Sequence, residues 1–359
     1  HNKDLKKPHN MKRLNELVRQ NILRLEPYGH ERSSNGNKTG LVFLDANENP
    51  YNTPYNRYPE IRQTELKRAI AKMKKLPAEC ILLSNGADEA ADIIYRCFAE
   101  PGRDNVVAIE PTCRMYERLA EINNVEYRKA ALDENFRLSA ERVLAACDGN
   151  TKIIWLCSPN DPTGNELQRE EIVKIINGFE GLVVVDEAYS DFSSATPLRH
   201  ELYKYPNLIV LDTFSNSWGC AGLRLGAAFA FPEIIDILNK VRNPYNVNTL
   251  TQESVSKLLD RQYDVEKWVN ILLAERERMV EAFRLLPSCK KVYPTETNFF
   301  LAQMTDAKKV YDHLKGNSIL VKSMAGVPLC EDCLRITVGS KSENSELLAA
   351  LRLLKTEEE

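Results

Sequence analysis

Short runs of almost purely apolar residues recur along the middle of this chain: Val106–Ile109, Ile153–Cys157, Leu182–Val185, Leu208–Leu211 and Ala227–Phe231. A strand with one wet face alternates apolar and polar residues, whereas a strand buried on both faces reads as continuous Val, Ile and Leu. The stretches between the runs, among them Ala87–Phe98, Leu167–Asn177 and Ile234–Val241, carry apolar residues at helical spacing instead. Strand and helix in alternation predict an α/β fold, a mainly parallel central sheet with helices on both faces. That order excludes a bundle and a barrel of hairpins.

Beyond about residue 250 the pattern changes. A long charged helical stretch, Val265–Leu286, precedes shorter strands at Asn298–Ala302, Ile319–Lys322 and Leu334–Val338, and a helix at Glu343–Leu354 follows. This predicts a second, smaller α+β domain. The expected division is 1–10 as a leader or tag remnant ahead of Met11, 11–44 as an N-terminal arm packing on the small domain, 45–250 as the large domain and 251–359 as the small one. With 359 residues, 43% of them apolar, the chain can bury cores of that size. Its 48 basic and 51 acidic residues leave a net charge of −3, which argues against a nucleic-acid surface. No apolar run has transmembrane length, so no membrane association is expected. Nine scattered cysteines fit reduced thiols of a cytoplasmic protein better than a disulfide framework. The pair Cys330 and Cys333 lacks the second pair that a zinc ribbon needs, so no metal site is expected.

In sheets of this kind ligands gather at the carboxyl ends of the strands, so the residues after each run carry the chemistry. Leu82 to Glu89 reads as strand, glycine turn and helix start, where free backbone N–H groups suit a phosphate or simply begin a capped helix. Val183-Val184-Val185-Asp186 ends a buried strand on a carboxylate, which needs a cation, a protonated nitrogen or a helix-capping role to be tolerated there. Ser158 to Gly164 is a turn by composition. Thr213 to Arg224 offers hydroxyls and a guanidinium suited to a phosphate dianion, or a solvated polar loop. Arg335 lies inside a β-type run, as an ion-pair partner or a carboxylate clamp.

From Met11 onward the chain resembles the histidinol-phosphate aminotransferase family, fold-type I enzymes that use pyridoxal phosphate (PLP). The shared phrases are Asp45-Ala-Asn-Glu-Asn-Pro50, Asn56-Arg-Tyr-Pro59, Asn85-Gly-x-Asp-Glu89, Val185-Asp-Glu-Ala-Tyr189, Ala221-Gly-Leu-Arg224, Pro244-Tyr-Asn-Val-Asn248 and Thr297-Asn-Phe299. The resemblance implies that Asp186 pairs with the pyridine nitrogen and Tyr189 reaches the phenolic oxygen. It implies a phosphate cup of Ala87, Asp88, Ser215 and Arg224, completed by Tyr58 from the partner of a homodimer. It places Arg335 at a substrate carboxylate and Tyr28 and Asn248 in the substrate region, with 45–250 as the PLP-binding domain.

Four departures fall on that chemistry. Asn216 stands where the resemblance puts the Schiff-base lysine, and an amide nitrogen is neither a nucleophile nor a useful base. Asp161 replaces an Asn that would donate a hydrogen bond to the phenolic oxygen, and an ionised Asp cannot donate. Cys113 replaces the Tyr that stacks on the ring, and Lys322 replaces an Arg at the substrate phosphate. The expectation is therefore a protein of this family that holds PLP or pyridoxamine phosphate (PMP) non-covalently, with lysine-dependent transamination lost or severely slowed. Two alternatives remain: a non-catalytic protein that binds a small phosphorylated or amino-acid ligand or an active paralogue, and a lysine knockout of an ordinary histidinol-phosphate:2-oxoglutarate aminotransferase.

Overall fold

A computed structural model describes residues 12–28 and 41–354. Strands β1 (Ile81–Asn85), β2 (Asn105–Glu110), β3 (Glu126–Ala131), β4 (Thr151–Cys157), β5 (Leu182–Asp186), β6 (Leu208–Thr213) and β7 (Leu225–Phe229) form one sheet in the order β1-β7-β6-β5-β4-β2-β3. From β3 through β6 neighbours run parallel, while β7 is antiparallel to both β1 and β6. The apolar runs are its centre: β5 and β6 are buried at every residue, and β4 at all but Lys152. Strand β3 carries no such run because it lies at the sheet's edge, where Glu126 and Lys129 reach solvent.

Helices cover both faces, each sealing alternate residues of the strands. On one side lie α3 (Thr64–Lys74), α6 (Ala140–Ala145) and α7 (Arg169–Gly178), whose Ile70, Val143 and Ile175 meet Leu83, Val107, Ile154 and Val183. On the other lie α4 (Ala87–Phe98), α5 (Arg114–Ile122) and α8 (Pro232–Val241), packed on Leu82, Val106, Trp155 and Val184. The short helices α1 (Leu14–Leu17) and α2 (Gln20–Leu23) were expected on the small domain. They instead join this second layer: Leu17, Val18 and Ile22 share a core with α4 and α8, and Arg19 reaches Glu100 at 3.2 Å. Apolar residues on so short a segment are best buried by the ready-made groove between two long helices. The leader expected at 1–10 and the polar stretch 33–37 lie outside the described residues.

After α9 (Thr249–Leu259) and the 23-residue α10 (Gln262–Arg284) comes an antiparallel sheet ordered β10-β11-β9-β8, with β8 at Cys289–Val292, β9 at Phe299–Met304, β10 at Lys322–Ser323 and β11 at Cys333–Thr337. Helices α10, α11 (Ala307–Gly316) and α12 (Lys341–Arg352) close its core. Strand β10 is shorter than its apolar lead-in predicts, because Ile319 N–H turns back to Leu314 O at 2.9 Å and serves as the end of α11. The two sheets meet through Tyr293, Leu301, Met324 and Cys330, which belong to the same core as the α3 side of the large sheet. No helix among the described residues is long and apolar enough to cross a membrane.

Gly226 in β7 pairs with Ser84 of β1 and with Thr213 of β6, bringing two strand-end turns together. A Cβ at this position would stand 2.3 Å from Ala87 N and 2.4 Å from Gly86 C, both backbone atoms. Gly226→Ala is therefore expected to cost about 2–3 kcal/mol by overpacking, read as a lower urea midpoint with unchanged slope. A loss under about 0.5 kcal/mol, the range of ordinary surface changes, would contradict this packing.

Candidate functional site

At the carboxyl end of β1 the chain turns through Gly86 (φ 78°) into α4. Gly86 caps that helix without a side chain, leaving the first N–H groups of a 12-residue helix uncapped by one. The missing Cβ matters: Arg224 Nη2 lies 2.6 Å from where it would be, so the guanidinium packs on the glycine. Arg224 itself is left-handed (φ 53°) and also reaches Asp88 Oδ2 at 3.1 Å. Ser215, after β6, shares a hydrogen bond of 3.0 Å with Thr213 Oγ1, which donates it. Ala87, Asp88, Ser215 and Arg224 thus sit on turns that Gly226 draws together. Half-exposed Arg224 and Asp88 form a weak pair in water, so the guanidinium stays available to a dianion.

The neighbouring strand ends in Asp186, only 8% exposed. Its Oδ2 accepts from Tyr116 Oη at 2.6 Å and its Oδ1 from Ala188 N at 3.0 Å. Burial lifts its pKa to about 6, against the pull of those two hydrogen bonds. Tyr116 is aimed by an aromatic stack, ring to ring with Trp155 at 4.9 Å, and Trp155 stacks in turn on Tyr95 at 5.2 Å. Nothing in the sequence flagged Tyr116, whose helix α5 reads as one more amphipathic segment. Asn216 is partly buried and donates from Nδ2 to Ala188 O at 3.3 Å, so its turn lies against the residues following β5. Under the same turn Ser217 Oγ donates to Asp191 at 2.5 Å, and buried Lys74 pairs with Asp212 at 2.7 Å and Asp191 at 3.7 Å. That lysine is committed to carboxylates.

Asn160, fully buried, ties the turn after β4 to the turn after β2: it donates to Pro111 O at 3.0 Å and accepts from Thr112 Oγ1 at 2.9 Å. Next to it, Asp161 pairs with Arg335 of β11 and accepts from Tyr189 Oη at 3.4 Å. The Arg335 guanidinium lies 5.1 Å over the Phe299 ring, whose other neighbour is Tyr189, edge-on at 5.1 Å. Burial, and then the Asp161 charge, push the Tyr189 phenol far above its usual range, so it stays a donor. Burial and the charges of Asp161 and Asp186 likewise raise the Cys113 thiol to about 12, so it is no thiolate. Cys113 borders a cavity of about 230 Å³ that reaches Gly326 and Val327 of the second sheet's loops.

Of the remaining candidates, Tyr58, Asn248 and Tyr28 stand apart. Tyr58 is half-exposed, stacks on Tyr245 at 4.4 Å and shares a surface recess of about 490 Å³ with Asn248. The Asn248 side chain accepts from Thr251 N at 2.9 Å and so caps α9. Tyr28 is 59% exposed at the edge of the described N-terminal segment. Lys322 is exposed, directly opposite Arg335 in the β10–β11 pairing and hence on the same face. Cys330 and Cys333 are buried free thiols.

Residues 37–351 match the family model of aminotransferases of class I and II. A histidinol-phosphate aminotransferase of Bacteroides thetaiotaomicron is 54% identical over 342 residues, 95% of this chain and 99% of that protein. The structure resembles that of the histidinol-phosphate aminotransferase from Clostridium acetobutylicum, with a TM-score of 0.76, 22% identity and coverage of 83% of this chain and 90% of that one. It also resembles the Sinorhizobium meliloti histidinol-phosphate aminotransferase in complex with pyridoxal-5'-phosphate, with a TM-score of 0.75, 21% identity and coverage of 84% and 85%. At those identities the structures establish a shared fold.

Asp186 offers a direct test of the site's electrostatics. In the unfolded chain an Asp titrates near 3.9, and in the folded chain this one titrates near 6. The folded state therefore holds the proton more tightly, so the group favours folding fully below pH about 4 and loses that contribution as pH rises through 6. Relative to the parent, Asp186→Asn is expected to gain about 2–3 kcal/mol in urea stability between pH 4 and pH 8. An unchanged difference would mean that Asp186 is not desolvated.

Proposed function

The chain belongs to the histidinol-phosphate aminotransferase family within the class I and II aminotransferases, and from that premise we propose that it binds PLP or PMP without a covalent link and has lost lysine-dependent transamination. The observation that carries this reading is Asn216, an amide on the turn between the phosphate-type cradle and Asp186. The residues fit the cofactor's phosphate: a glycine turn too tight for a Cβ, an uncapped helix start, Ser215 and Arg224. Desolvated Asp186 fits a protonated ring nitrogen, whose charge would repay the burial that lifts its pKa. When bound, the cofactor supplies an electron-withdrawing ring and a carbonyl or amine group.

In this reading Ala87, Asp88, Ser215 and Arg224 hold the phosphate, Asp186 holds a proton at the ring nitrogen, and Tyr116 and the Ala188 N–H orient its carboxylate. Tyr189 lies on the side of the phenolic oxygen. Cys113 supplies no aromatic face, a loss of about 0.5–1.5 kcal/mol of stacking. We assign 45–250 to cofactor holding and 251–359 to the unit that brings Arg335 and Lys322. Val42, Leu44, Tyr51 and Tyr55 are exposed, Val42 and Leu44 by more than four-fifths, and such a strip supports a homodimer in which Tyr58 completes the cup of the other subunit. Tyr28 and Asn248 then border the substrate. The Asp161–Arg335 pair favours a second reading, a protein that binds a phosphate ligand and does not turn it over.

The test is chemical. Protein mixed with PLP is expected to retain it through gel filtration, and borohydride is expected to leave none fixed to the chain. Asn216→Lys should create borohydride-fixed cofactor, yet transaminate at least about 10-fold (1.4 kcal/mol) more slowly than the triple variant with Asp161→Asn and Cys113→Tyr. No retained cofactor would favour the second reading. Full activity from the single reversion would identify a plain lysine knockout.

A further inference from the structure

Arg335 is placed to grip a planar anion. It projects from β11 with Lys322 opposite it on the same face, and its guanidinium rests over Phe299 at 5.1 Å. A guanidinium so held presents a fork that matches a carboxylate. In this chain one arm of the fork is already taken, because Asp161 from the loop after β4 pairs with Nη1. The second oxygen of Asp161 accepts from Tyr189 at 3.4 Å.

The loop that carries Asp161 is held from both sheets. Asn160 anchors it to Pro111 and Thr112. Three residues on, Gly164 O accepts from Glu296 N at 2.7 Å, and a Cβ on Gly164 would meet Thr295 Oγ1 at 2.7 Å. The carboxylate is thus delivered by backbone that is hydrogen-bonded on both sides.

We propose that Asp161 is a built-in carboxylate that occupies Arg335 and closes the site to ligands bearing an α-carboxylate, leaving the pocket to phosphate esters that carry none. A free acid must compete with a tethered one whose effective concentration is on the order of millimolar or more. It must also leave the part-buried Asp161 charge without its cation, which is the costly half of breaking such a pair. Asp161 is therefore a specificity-determining residue: amino acids and oxo acids are rejected at Arg335, while binding at the Gly86–Arg224 cradle is untouched. The inference rests on the proposed reading of that cradle as a phosphate site.

Calorimetric titration of the full chain with glutarate and, separately, with inorganic phosphate tests both. Glutarate binding is expected to tighten at least about 10-fold in Asp161→Asn, and again in Asp161→Ser, with either variant reverting when Arg335→Met is added. Phosphate affinity should be equal in all of these. Glutarate binding to the parent chain as tight as to the Asp161 variants would overturn the proposal, as would a gain that survives Arg335→Met. Phosphate bound equally by all, with no glutarate gain in either Asp161 variant, would also overturn it. A glutarate gain with no phosphate binding by any form would uphold Asp161 as the plug while removing the phosphate reading of the cradle.

Discussion

The central strands are wet on neither face, and most of what this protein can do follows from that constraint. A polar side chain within β4, β5 or β6 would need a buried partner on the spot; β5 and β6 are apolar until their last one or two residues, and β4 is apolar from Ile153 on. Asp186 comes at the last residue of β5, Ser158 just past β4, and Thr213 and Ser215 at and beyond the end of β6. Parallel pairing then aligns those ends along one edge, with β7 running back to add Gly226 and Arg224. The functional row is thus a product of hydrophobic burial.

Several charges that enter the interior are paired. Lys74 meets Asp212 and Asp191, and Arg199 meets Glu187 at 3.3 Å and Asp212 at 3.9 Å, all under the turns that carry Tyr189 and Asn216. A single buried ion pair is weak evidence for stability, but removing one partner strands the other. This network explains how the turn keeps its shape with an amide at 216: its support comes from Ser217, Asp191 and Lys74, none of which needs residue 216 to be a lysine. The aromatic stack from Tyr95 through Trp155 to Tyr116 does the same for Asp186, fixing a phenol on the carboxylate.

The two sheets meet where the chemistry departs most from the family resemblance. Phe299 and Arg335 come from the small sheet, Asp161 and Tyr189 from the large one, and the four pack as one group. An Asn at 161 could donate from its amide, whereas the Asp here accepts from both Arg335 and Tyr189. The carboxylate at 161 thus adds no donor of its own and ties the sheets by a charge.

Periodicity alone made the large sheet legible. Val106–Ile109 and Leu182–Val185 could be little else than strands buried on both faces, and Ala87–Phe98 matched its helix residue for residue. Strand β3 and Tyr116 were silent: an edge strand needs no apolar run, and a hydrogen bond across 70 positions leaves no local trace. Asp186, Arg224 and Arg335 were visible as residue types at strand ends, and Asn216 and Asp161 as departures from shared phrases. The packing of Leu14–Leu23 on α4 and α8 was decided by tertiary structure, because amphipathic segments state that they need a groove and not which one. So was the partner of Arg335, since a charge in a strand announces a need for an opposite charge, and only the meeting of two distant loops settled that Asp161 supplies it.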